Sequence, residues 1–236
     1  MDNRLRKLTR RRVDKVGRPL GHVFIVTYGR SGSTLLLGVL NSLPGYLIRG
    51  ENRDAVYHLY KFHATCAAEK ARHRKGGGAD RQDDSTQPFF GILGYPGNKA
   101  IVTIRRLITE TLLRPQPDTR VTGFKEIRWY QPDLAEYVAF LQRVFPDAKF
   151  VVNTRNHADV AKSKWWAEKD NSVETLARIE GQILAVTEQL GDAAYHVHYD
   201  DYVADPSVLQ GLIEWLGEEY DAARVAEVMG VPHSAW

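Results

Sequence analysis

The run FIVTYGRSGSTLLLGVL, residues 24–40, constrains this chain more than any other segment. Phe24 to Thr27 are β-branched or aromatic, Gly29 and Gly32 are turn residues, and an apolar stretch of helical character follows from Ser33. A strand, a small-residue turn and a helix in that order present backbone N–H groups to an anion at the positive end of the helix. Ser31, Gly32, Ser33 and Thr34 leave room for a phosphate or sulfonate, and Arg30 adds a fixed positive charge at the same mouth. Gly32 is followed by Ser33 and Thr34 rather than by Lys and Ser/Thr, so the Walker A pattern is not met. Taken alone, such a turn serves equally as a tight strand-to-helix connection.

Further along, strands and helices alternate. Helices are expected over 33–43, 101–113, 132–145, 159–169, 173–190, 206–216 and 221–229, with a helical or mixed stretch over 51–74. Strands are expected over 120–129, where a turn follows, and over 149–155 and 194–202. Alternation of this kind gives βαβ units, and hence an α/β fold of three layers with a mainly parallel sheet between helices. Ligands collect at the carboxyl ends of strands in that architecture, and Gly29, Lys125 and Arg155 each follow one. The glycine- and charge-rich stretch 72–100 reads as a flexible insertion within a single domain covering 19–236.

Charge is unevenly spread. Residues 1–18 carry Arg4, Arg6, Lys7, Arg10, Arg11, Arg12, Lys15 and Arg18 against Asp2 and Asp14, a net +6, whereas the whole chain is +3 and the remainder therefore −3. The body is not basic, which argues against a nucleic-acid partner; residues 1–18 read first as a solvated N-terminal arm, with an anion-attracting arm near the active site and a polyanion or membrane contact as the alternatives. The single cysteine, Cys66, excludes an internal disulfide and a multi-cysteine metal site. His196 and His198 share a strand face without a third ligand, so no metal is expected. No window of 18 apolar residues and no secretory pattern is present, and a cytoplasmic location is expected.

TYGRSGSTLLLGVL and VVNTRNHADVAKSKWW together resemble the two nucleotide-binding segments of sulfotransferases that use 3'-phosphoadenosine 5'-phosphosulfate (PAPS). The first is similar to their 5'-phosphosulfate loop, which the resemblance assigns to Arg30, Ser31, Gly32, Ser33, Thr34 and Leu35. The second follows the pattern R-x-x-x-D-x-x-x-S with Arg155, Asp159 and Ser163, and the resemblance makes Arg155 and Ser163 the holders of the 3'-phosphate. An arginine at a strand end with a hydroxyl on the adjoining helix is chemically apt for a second anion. Asp159 is read as organising the helix start or the arginine.

GYLIRGENR is similar to the segment that returns a glutamate to the active site in the branches acting on carbohydrates and protein tyrosines. It implies Glu51 as general base; a salt-bridge glutamate is the plainer reading. VTGFKEIRW resembles the central strand ending in a lysine near the transferred group, which implies catalytic roles for Lys125 and, from the loop, Arg30. Glu126 should point the other way. VHYDDYVADPSVLQGLIEWLG resembles a late strand-helix segment in which Tyr199, Asp200, Asp201, Asp205 and Pro206 are structural.

The resemblance covers most of residues 20–217 and implies a P-loop NTPase-like fold. It also implies direct in-line transfer of a sulfuryl group from PAPS to a hydroxyl or amine, leaving adenosine 3',5'-bisphosphate. The small-molecule branch's catalytic histidine and C-terminal Arg-Lys-Gly loop have no counterpart here. The acceptor stays open among small molecules, carbohydrates, lipids and peptides, and Trp129, Tyr130, Trp165 and Trp166 serve either an apolar wall or the core. Two competing readings stand beside it: a Mg²⁺-dependent kinase or other phosphotransferase, and a nonenzymatic anion- or nucleic-acid-binding module.

Overall fold

The computed structural model describes residues 19–75 and 84–231. Five strands form one parallel sheet: β1 Gly21–Val26, β2 Tyr46–Arg49, β3 Val121–Glu126, β4 Lys149–Thr154 and β5 Ala194–His198, in the order β2-β3-β1-β4-β5. β1 is central, and the chain departs from it first to one side and later to the other. The crevice beyond its carboxyl end, between β3 and β4, is therefore the switch point at which open α/β sheets bind ligands.

Both faces of the sheet are covered, which is why its strands read as continuous apolar runs. On one face Phe24 lies beside Phe124 and Phe150 in register, with ring centroids 4.7 and 5.7 Å apart. This face packs against α2 (Ala55–Lys75), α3 (Gly97–Leu107), α4 (Leu134–Val144) and α6 (Ser172–Glu188) through Val56, Ile104, Leu141 and Leu176. On the other, Val23, Ile25, Val151 and Val197 meet α1 (Ser33–Ser42), α8 (Leu209–Leu216) and α9 (Ala222–Met229). The result is the expected three layers.

The β1–β3 pairing leaves no room at Gly123, where a Cβ would fall 1.6 Å from the carbonyl oxygen of Val23. In the same ladder Lys125 pairs with Ile25 and Glu126 with Val26, so the two side chains leave on opposite faces.

Several elements differ from the sequence reading. The helix expected over 159–169 is a short α5, His157–Ala161, followed by a 3-10 turn, Lys164–Trp166. Between them Ser163 is extended (φ −105°, ψ 123°), so it does not share a helical face with Asp159. Two contacts account for the break: Trp166 donates its indole N–H to the Gly29 carbonyl at 3.0 Å, and the Ser163 hydroxyl accepts from Arg30 at 2.8 Å. The strand expected over 194–202 ends at His198, and α7 (Tyr199–Ala204) follows with Asp200 and Asp201 in its first turn, where acidic groups favour a helix start.

β2 was not anticipated as a strand. Within 72–100, α2 runs to Lys75, a 3-10 turn occupies Ile92–Gly94, and α3 begins at Gly97, four residues before the helix expected from Ile101. α3 continues into a π turn, Ile108–Leu113. The basic arm 1–18 and residues 76–83 lie outside the described residues. Among those described, no helix is long and apolar enough to cross a membrane.

Candidate active site

The loop after β1 is held from beneath by buried hydrogen bonds. Thr27 Oγ1 lies 2.6 Å from Ser31 Oγ and donates to the carbonyl of Asn153 at 2.7 Å, while Asn153 Nδ2 donates to the carbonyl of Ser31 at 2.9 Å. Tyr202 completes the staple by donating to Asn153 Oδ1 at 2.8 Å. Ser31 is thus fully buried, with its hydroxyl turned into the protein rather than toward the cavity. Arg30 and Gly32 both have positive φ, 70° and 78°. Gly32 is irreplaceable on two grounds: its backbone is strained for any L side chain, and a Cβ would lie 2.0 Å from the Tyr199 ring. No side chain caps the first turn of α1 and none in it is acidic; Leu35 N–H returns to the Gly32 carbonyl at 2.9 Å, which leaves those of Ser33 and Thr34 at the positive end of the helix dipole.

That turn opens into a cavity of about 450 Å³, within the range of small-ligand pockets. Its walls hold Arg30, Gly32, Ser33, Thr34, Leu35, Glu51, Lys125 and Arg155, eight residues brought together from four segments of sequence. Lys125 is 7% exposed and donates from Nζ to Oε1 of Glu51, 39% exposed, at 2.6 Å. Glu126 points away, and its carboxylate accepts the backbone N–H groups of Asn52 at 3.0 Å, Asp54 at 3.4 Å and Ile127 at 2.8 Å. It thereby anchors the turn that carries Glu51.

Arg155 lies with its guanidinium 4.5 Å above the Tyr199 ring, its Nη1 donating to the Arg30 carbonyl at 3.3 Å. Its Nε is buried without a hydrogen-bond partner, 3.9 Å from Oδ1 of Asp200. A half-buried guanidinium with an unpaired N–H beside an open cavity suits an anion. Ser163 reaches this neighbourhood through Arg30, whose Nε donates to its hydroxyl. Asp159 faces out: it pairs with Lys162 at 2.9 Å, a contact that lowers its pKa, and Asn156, not Asp159, caps α5.

The remaining cavity wall is apolar. Val203, Pro206, Met229 and Val231 belong to it, as do Ile127 and Trp165, which lie against Gly29. Of the four candidate aromatics, Trp129 and Trp166 are core residues, whereas Trp165 and Tyr130 are 43% and 45% exposed, with Trp165 in the cavity. Asp205 caps the following 3-10 turn by accepting from the Ser207 N–H, as expected of a structural aspartate. Asp200 does more. It accepts the Asn156 N–H at 2.8 Å and lies 3.1 Å from His198 Nε2, which places beside Arg155 a carboxylate that the sequence reading gave only a structural role. His196 and His198 both contact the Thr154 hydroxyl, at 2.7 and 2.8 Å.

Residues 22–222 match the model of a sulfotransferase family. Comparison with curated protein sequences finds no significant match. Among solved structures, the sulfotransferase domain of the Synechococcus PCC 7002 olefin synthase is 22% identical, with a TM-score of 0.57 over 95% of this chain and 79% of that one. The sulfotransferase domain from the curacin biosynthetic pathway is 18% identical, with a TM-score of 0.48 over 91% and 80%. The sulfotransferase from Alicyclobacillus acidocaldarius is 13% identical, with a TM-score of 0.45 over 88% and 89%. The family match takes in all five strands but for Gly21 and every residue gathered at the cavity except Met229 and Val231, and the first of these structures shares the three-layer fold; the chain belongs to the PAPS-dependent sulfotransferase family.

Proposed function

We propose that this sulfotransferase binds PAPS with its phosphosulfate at the Arg30–Leu35 loop and its 3'-phosphate at Arg155 and Ser163. The sulfuryl group then passes in line to a hydroxyl or amine presented beside Glu51. The residues fit such a donor on two counts: the first turn of α1 meets the cavity without a side-chain cap or an acidic group, and Arg155 carries an unpaired N–H. The apolar lining residues Val203, Pro206, Met229 and Val231 suit the adenine. A loop that joins the central strand to a helix N-terminus is also how P-loop proteins hold phosphates, which supports kinship with that fold.

In the chemistry, Glu51 accepts the proton of the acceptor while the acceptor oxygen or nitrogen forms its bond to sulfur. The bond from sulfur to the bridging oxygen breaks on the opposite side, and its electron pair stays with adenosine 3',5'-bisphosphate. Lys125, Arg30 and the α1 N–H groups stabilise the charge collecting on that leaving phosphate. No covalent enzyme intermediate enters this sequence.

The observation that carries the reading is the Lys125–Glu51 pair inside the same cavity as the anion loop, a base and a cation at one mouth. The test is calorimetric titration with adenosine 3',5'-bisphosphate, adenosine 5'-phosphate and Mg-ATP. Mg²⁺-independent binding that depends on the 3'-phosphate is expected, and tighter binding of Mg-ATP would reject the donor assignment in favour of a phosphotransferase.

A further inference from the structure

Tyr28 leaves β1 immediately before the anion loop and is 1% exposed although it carries a hydroxyl. That hydroxyl accepts the backbone N–H of Arg155 at 2.9 Å and donates to Oε2 of Glu180 at 2.6 Å, with the Arg155 carbonyl also 2.9 Å away. Burial first, and then the hydrogen bond to Glu180, push its pKa far above the ordinary phenol value, so it remains an O–H donor. Glu180 belongs to α6, which takes no part in the cavity wall, and the same Oε2 lies 3.1 Å from Nε2 of His157, two residues beyond Arg155. One carboxylate oxygen therefore gathers the residue that precedes the anion loop and the helix that follows Arg155.

The need for such a tie follows from the sheet. The β1–β4 ladder ends at Val26 and Val152, and beyond it the two chains are joined through side chains, first Thr27 and Asn153 and then, at Arg155 itself, Tyr28. Arg155 sits past that end. Its side chain is held by one 3.3 Å hydrogen bond to a backbone carbonyl, a stacked ring and a long 3.9 Å approach of Nε to Asp200 with no hydrogen bond at that nitrogen, so its direction depends on where its backbone is fixed.

Building on the nucleotide reading above, we propose that Tyr28, anchored by Glu180, is a positioning residue for the 3'-phosphate: it clamps the backbone of Arg155 to the root of the phosphosulfate loop and so sets the spacing between the two anion sites. Tyr28 touches no ligand in this scheme and acts through Arg155. Its sequence separation from Glu180 hides the relationship from any local motif.

The test uses the full-length chain and compares affinities for adenosine 3',5'-bisphosphate and adenosine 5'-phosphate by calorimetry, with thermal unfolding in parallel. Tyr28→Phe keeps the ring and removes the clamp; the preference for the bisphosphate should fall roughly tenfold, while affinity for the monophosphate changes by less than about threefold. Glu180→Gln retains an acceptor for the hydroxyl and should restore most of the preference, whereas Glu180→Leu should reproduce the loss. A folded Tyr28→Phe protein that lowers the unfolding temperature but keeps the wild-type preference would make Tyr28 a packing residue and overturn the proposal. If Tyr28→Phe does not fold, Glu180→Leu decides by the same criterion. A wild-type protein with no preference for the bisphosphate would reject the nucleotide reading itself and this proposal with it.

Discussion

Lys125 and Glu51 form an ion pair of 2.6 Å between a side chain sealed in the sheet end and one open to the cavity. The lysine holds the carboxylate at the mouth of the anion loop, while Glu126 fixes the turn on which that carboxylate is carried. Burial on this scale makes the ammonium dependent on its partner, since an unpaired buried charge is strongly unfavourable. On the mechanism proposed above, an incoming sulfuryl oxygen takes the place of Glu51 on Lys125, so the ammonium stays paired while the glutamate is released for proton transfer.

Glu51→Gln should therefore lower turnover by at least about a hundredfold, the usual contribution of a general base. The amide oxygen still accepts from Lys125, so affinity for adenosine 3',5'-bisphosphate should stay near the wild-type value. Steady-state rates with calorimetry on the same preparation check both halves, and undiminished turnover would remove Glu51 from the base role.

Arg155→Ala removes the guanidinium stacked on Tyr199. Binding of adenosine 3',5'-bisphosphate should weaken about 10- to 100-fold, the worth of charge-assisted hydrogen bonds, with adenosine 5'-phosphate affected far less. Equal losses for the two nucleotides would show that Arg155 does not read the 3' position.

The sequence was most legible where chemistry and backbone share one local pattern. The strand, turn and helix of residues 21–42 and the arginine closing β4 could be recognised because each follows an apolar strand with turn or cap residues. β2 escaped because YLIR offers four residues between glycines, too few for alternation to register. The segment after Asn156 was read as one long helix because its composition permits one; long-range contacts of Trp166 to Gly29 and of Ser163 to Arg30 override that preference. The motif placed Ser31 among the ligand groups, yet its hydroxyl is spent on Thr27, a partner visible only once the loop is folded. Glu180 beside Tyr28 and His157, and Asp200 beside Arg155, were missed for the same reason: their carboxylates arrive from other elements.

Gly32→Ala tests the loop itself. The substitution imposes a side chain at φ 78° and drives a Cβ into the Tyr199 ring, so the loop must move or the ring must leave its place under Arg155. Bisphosphate binding should be lost to the detection limit while the far-ultraviolet circular dichroism spectrum remains native, since the strain is confined to the loop. Retained affinity would mean that the anion is held elsewhere.

Asp133 offers a prediction about stability rather than chemistry. Its carboxylate accepts from Tyr57 at 2.7 Å, Tyr60 at 3.1 Å and Lys61 at 2.8 Å, tying α2 to the start of α4. Burial works to raise its pKa, but the hydrogen bonds from Lys61, Tyr57 and Tyr60 outweigh it and hold the group below the ordinary carboxylate range. A depressed folded-state pKa contributes stability that is complete above the unfolded value of about 4 and is lost as pH falls through the lower folded value. Asp133→Asn keeps the shape and an acceptor but removes the charge, so it should destabilise the protein at pH 7 by about 1 kcal/mol. Urea unfolding midpoints should show a constant gap between the two proteins from pH 7 to about 5, narrowing only below about 4 as the wild-type carboxylate takes up its proton. A gap that persists unchanged into acid would mean that the amide is disfavoured by its geometry and that the charge on Asp133 adds nothing to the fold.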